Sequence, residues 1–195
     1  MKPRPSPSRS RARARARNRY NTAGLCSAFA VVPSDSLRRR FRRAAAGVLP
    51  DMSLFGLEAT AAAYARGGAW RARLLEYLRA NEQAARAHLA AHAPELAVDA
   101  TPLESTYLLW IDCERLVALL RAAGAPPSAL SPADFFERRA RVGLSEGRFF
   151  GSARHVRLNL GTSRATLELA LARMTGAVRE LREEAAAAAG AGGVE

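Results

Sequence analysis

From residue 20 onward the apolar positions follow two different periods. A run at 28–32, closed by Pro33, has the length of a strand. Ser34 or Ser36 then caps a predicted helix reaching Ala46, with Leu37, Phe41 and Ala44 beneath a solvated face of Arg38, Arg39, Arg40, Arg42 and Arg43. Residues 54–66 and 69–93 are dense in Ala and Leu at helical spacing and are separated by Gly67 and Gly68. Trp70, Leu74, Tyr77 and Leu78 mark the buried stripe of the second. Beyond residue 95 the period shortens. Residues 96–98 and 106–111 read as strands, the second aromatic and too apolar for an exposed sheet edge. Helical spacing returns at 114–123 and, after the Gly124 to Pro127 break and the Ser131, Pro132 start, at 133–140. Residues 155–160 alternate polar and apolar like a half-buried strand. Ser163 caps a last helix carrying Leu167, Leu169, Leu171 and Met174, which ends in a low-complexity tail from Glu183. Helices followed by a strand, helix, strand layer predict an α+β or split α/β body.

Composition changes the picture at the N-terminus. The 195 residues carry a formal charge of +12, and residues 1–19 hold eight of the basic side chains with no acidic one. The rest of the chain is only mildly basic, so a nucleic-acid partner is not expected. The arm has no large apolar residue after Met1 and is expected to be disordered. It lacks the apolar spacing of a transit peptide, and its alternating Arg-Ala run is a pattern that a displaced start or a frame slip would leave. No stretch approaches the roughly 20 apolar residues of a membrane span. Cys26 and Cys113 lie far apart in apolar surroundings and read as buried thiols of a reducing, cytoplasmic compartment.

The chain offers little chemistry of its own. It has no Gly-rich phosphate loop, no H-E-x-x-H, no paired-cysteine metal site and no G-x-S-x-G turn. His88 and His92 stand four apart on a predicted helix but lack a third ligand, and read as helix-surface histidines. Lys2 is the only lysine, so residues 20–195 cannot form an internal Schiff base. One group stands out. Arg157 lies on a strand between Val156 and Leu158, and a guanidinium there calls either for a planar carboxylate held bidentately or for a structural ion pair within the fold.

Six segments in register carry a resemblance: NRYNTAGL, FGLEATAAAY with its GGAW, LLEYLRANEQA, ESTYLLWID, RVGLSEGRFFG and HVRLNLGTSRATLELAL, together spanning about residues 18–176. In this order the chain resembles the C-terminal half of pyridoxal-phosphate (PLP)-dependent C–S β-lyases. These form the cystathionine β-lyase-like, or cysteine-S-conjugate β-lyase, branch of the class I/II aminotransferases, of fold type I. The resemblance implies a partial α/β fold: 1–19 a disordered arm, 20–92 the end of the PLP-binding large domain, 93–185 an α+β small domain, 186–195 a disordered tail. It implies that Arg157 grips the substrate α-carboxylate and that Tyr107 and Trp110 pack the small-domain sheet. It also implies PLP as cofactor, an amino-acid thioether as substrate and a homodimer without membrane attachment. Asn18 occupies the position of the family's Schiff-base lysine, and the phosphate-cradling and ring-nitrogen-binding half has no counterpart here. The chain alone is therefore expected to be inactive. A class I/II aminotransferase, or a non-catalytic degenerate interaction module, is the alternative.

Overall fold

A computed structural model describes residues 13–14, 20–25, 27–99, 101–126, 129 and 131–191. They divide into two units, residues 1–74 and 75–195.

In the first unit, β1 (Arg13–Ala14) pairs antiparallel with β2 (Ala30–Val31). The strand expected at 28–32 is thus reduced to two exposed residues. Arg13 and Ala14, expected in a disordered arm, are in a ladder because backbone pairing needs no large side chain. Helix α1 (Asp35–Ala45) starts at Ser34, whose Oγ accepts from Leu37 N at 3.4 Å, and has Asp35 in its first turn and Arg42 and Arg43 in its last, matching the helix dipole. Helix α2 (Leu54–Arg66) is capped by Ser53, which accepts from Gly56 N at 3.0 Å. Gly56 is required by close approach: a Cβ there would stand 2.7 Å from the Leu25 carbonyl oxygen. Among the described residues of this unit only Ser27 and Gly56 are buried, so it has no apolar core.

The second unit has one. Helix α3 (Gly68–His92) contributes Ala85 and Leu89 to it, which is why the division falls inside α3 and ahead of the boundary expected at 92–93. An antiparallel sheet runs in the order β3, β4, β6, β5, formed by Ala97–Val98, Leu108–Asp112, His155–Asn159 and Ser145–Glu146. Leu109, Ile111, Val156 and Leu158 alternate onto one face. They join one cluster with Leu116 and Leu120 of α4 (Glu114–Ala122) and with Leu167, Leu171 and Met174 of α6 (Arg164–Ala191).

Two expectations change here. The helix expected over 133–140 is α5 (Pro132–Phe135) running into a π-helical turn, Phe136–Ala140, which stops at Arg141 in the left-handed conformation (φ 54°). Residues 186–191, expected in a disordered tail, continue α6, because alanine is the best helix former and Ala185 is still buried. No helix among the described residues is long and apolar enough to cross a membrane.

Candidate functional site

Arg157 projects from the centre of β6 onto the face opposite the core, between the buried Val156 and Leu158. Its register neighbours are Trp110 on β4 and Ser145 on β5. The guanidinium carbon lies 3.3 Å from the centroid of the Phe150 ring, within cation–π range. Phe150 is presented by a 3-10 turn, Gly147–Phe150, closed by Gly151 at φ 95°. Gly147 has no room for a side chain, since a Cβ would collide with the Ser152 and His155 carbonyl oxygens. That close approach brings the turn onto the strand that carries Arg157.

Arg157 makes no ion pair and no hydrogen bond among the described residues, and its Nε is buried without a partner. The alternative of a structural ion pair is therefore not realised there. Every acidic group near the strand is engaged elsewhere. Asp112 Oδ2 lies 3.7 Å from His155 Nε2 and 3.6 Å from Arg154 Nε, while Glu114 Oε2 accepts from Arg154 Nη1 at 3.1 Å and Glu146 pairs with Arg148. A half-buried cation with an aromatic ring on one face and unclaimed terminal N–H groups is suited to a planar anion approaching in its own plane.

The residues around it form a network. His155 stacks on Trp110 with ring centroids 4.8 Å apart and planes 13° from parallel, and its Nδ1 is 2.7 Å from Ser152 Oγ. Behind the strand, Asn81 of α3 is fully buried and donates from Nδ2 to the carbonyls of Leu160 (2.9 Å) and Thr162 (3.2 Å), while Tyr77 donates to Thr162 O at 3.2 Å. These bonds fix the loop between β6 and α6.

Of the residues singled out from sequence, Arg157 is placed as described and Asn18 and Cys26 lie outside the described residues. Trp110 is half-buried in its stack on His155. Tyr107, expected in the sheet core, is instead 41% exposed, because it precedes the first strand residue and its ring lies against Gly161. His88 and His92 have ring centroids 4.6 Å apart, and no group of three or more potential metal ligands exists among the described residues. Cys113 is buried, and burial with the neighbouring Asp112 charge pushes its thiol up to about 12, an unreactive state. Phe150, His155, Ser152 and Asn81 were not singled out from sequence. The glycine-bounded GRFFG ahead of the 155–160 strand was the available signal for the first.

Comparison with known proteins locates this arrangement. No family model matches the chain. Mycobacterial relatives are 32% to 34% identical over 84% of it. Cystathionine beta-lyase PatB of Bacillus subtilis is 30% identical over 82% of this chain and 39% of its own. Among solved structures, OvoB superposes with a TM-score of 0.72 at 38% identity, covering 83% of this chain and 39% of its own. A PLP-bound C–S lyase from Staphylococcus hominis gives 0.68 at 25% identity, over 82% and 39%. The span that matches is the C-terminal part of relatives named cystathionine beta-lyase and of solved fold-type I, PLP-dependent proteins, which the described chain resembles over 82–84% of its length. The chain spans about two-fifths of the length of the curated relatives it matches.

The cofactor carried by such structures does not fit the groups present here. A PLP aldehyde needs a lysine amine, and residues 20–195 contain none. The described residues also hold no cluster aimed at a phosphate beside Arg157: its neighbours are Phe150, Trp110 and Ser145.

Proposed function

We propose that this chain supplies the carboxylate-binding part of a PLP-dependent carbon–sulfur β-lyase and is inactive alone. The assembled enzyme would act on an amino-acid thioether, L-cystathionine or a cysteine S-conjugate, and with one water release a thiol, pyruvate and ammonia. It would do so as a cytoplasmic homodimer. The observation carrying this reading is Arg157, stacked on Phe150 with no acidic partner among the described residues. A bidentate carboxylate would occupy the free edge of the guanidinium, with Phe150 closing one face and so fixing the plane of approach.

Titrating the full chain with L-cystathionine and following arginine side-chain amide resonances by NMR tests this. A saturable shift of the Arg157 signal is expected, lost in Arg157→Gln and much weakened in Arg157→Lys, which keeps the charge but not the fork. An equal shift with sodium chloride, or none with the thioether, overturns the carboxylate role. In parallel, borohydride treatment with PLP should leave no stoichiometric adduct on residues 20–195.

A further inference from the structure

We infer that the arginine face of α1, with the basic arm that β1 fastens to the segment ahead of it, binds the phosphate backbone of a nucleic-acid duplex. The expectation against such a partner took the charge of residues 20–195 together, and that charge is divided unevenly. Residues 20–74 carry eight arginines against three acidic residues, a net +5, whereas residues 75–195 carry 14 against 15, a net −1. With the eight basic residues of 1–19, the whole positive excess of the chain belongs to the first unit. In the second unit Arg86, Arg139, Arg148, Arg154 and Arg182 are held by carboxylates. On α1 only Arg38 is, by Asp35, while Arg39, Arg40, Arg42 and Arg43 are exposed and have no ion-pair partner among the described residues.

The arrangement is costly without an anion. Arg38 and Arg42, like Arg39 and Arg43, stand four residues apart on one helix, the spacing at which like charges repel. No residue of α1 is buried, so packing does not offset that repulsion. Five arginines in the six residues 38–43 amount to one positive charge per about 1.8 Å of helix axis, close to the roughly 1.7 Å per negative charge along a nucleic-acid duplex. Each is an arginine, whose planar fork suits a pair of phosphate oxygens. Arg13 pairs with Val31, four residues ahead of Asp35 where α1 begins, so the arm is attached to the segment that leads into the arginine helix. The arm also argues against a lipid bilayer as the partner. It has no large apolar residue after Met1, whereas binding to an anionic membrane draws on buried apolar area as well as charge. The inference does not depend on what Arg157 binds.

The test follows the fluorescence anisotropy of a labelled, random-sequence DNA duplex titrated with the full chain between about 50 and about 200 mM salt. Saturable binding is expected, with the logarithm of the affinity falling steeply against the logarithm of the salt concentration. The quadruple variant Arg39→Gln, Arg40→Gln, Arg42→Gln, Arg43→Gln exchanges helix formers of similar propensity. It should bind at least about tenfold more weakly at the lower salt and flatten the slope by about 3 to 4, since each neutralised phosphate contributes about 0.9. A matched variant, Arg115→Gln, Arg121→Gln, Arg173→Gln, Arg179→Gln, removes as much charge from exposed positions of the second unit and should bind nearly like the unaltered chain. Four outcomes overturn the inference: no saturable binding at the lower salt, equal binding by the two variants, equal affinity for polyglutamate, or tighter binding to phosphatidylserine vesicles than to the duplex.

Discussion

His88 sits half-buried on α3, its Nε2 3.2 Å from Thr175 Oγ1. Burial, and then the neighbouring His92 charge, lower its pKa from the ordinary 6.5, against a smaller raising effect from the Leu171 backbone. The unfolded chain therefore takes up this proton at a higher pH than the folded one. Stability is full above 6.5 and falls as the pH drops through 6.5 toward the lowered folded value. Thermal melts followed by circular dichroism should show the midpoint dropping between about pH 7.5 and about pH 5.5, and His88→Gln, which can keep the bond to Thr175, should flatten that drop. Identical pH profiles for the two proteins would remove His88 as the cause. At this scale the sequence was informative about Arg157, since a cation on an apolar strand is conspicuous. It was silent about Phe150, whose role arises only when the 147–150 turn folds back onto β6.

At the scale of elements, α3 holds the loop after β6 through the side-chain amide of Asn81. The amide satisfies two carbonyls that would otherwise be left inside, while its own Oδ1 has no partner. Asn81→Ala should cost about 1–3 kcal/mol, the usual penalty for orphaning buried polar groups, measured as a lower urea midpoint. An unaltered midpoint would mean the loop is held by packing alone. The long helices and the two central strands were legible, because each has a sustained period: 54–66 matches α2, and 155–160 contains β6. The two-residue β5 was not, having too few residues to show one. Nor was the π-helical turn at Phe136–Ala140, which shares the α-helical apolar spacing and depends on Phe135 and Phe136 both being buried.

Across the whole molecule, the contrast between the units is a contrast in local stability. Residues 75–195 share one buried cluster, whereas residues 20–74 bury almost nothing. In hydrogen exchange on the isolated chain, amides of α1 and α2 should exchange on the order of a hundredfold faster than those of β4, β6 and the middle of α6. Comparable protection in both would show that the first unit is stable uncovered. The composition had already located most of the charge in the arm. It gave no hint of this second asymmetry, because the apolar residues of both units are equally well patterned and only the fold distinguishes those that find partners.

The uncovered unit is also the one nearest the N-terminus. During synthesis, at about 5–20 residues per second, residues 25–70 leave the ribosome roughly ten seconds before the strand bearing Arg157 does. The second unit, once complete, buries a core of its own, whereas residues 25–70 bury no apolar side chain among the described residues. Phe55, Val48 and Leu54 are therefore displayed to solvent from the start. Holdase chaperones, which bind exposed apolar segments, are the first proteins these helices are expected to meet.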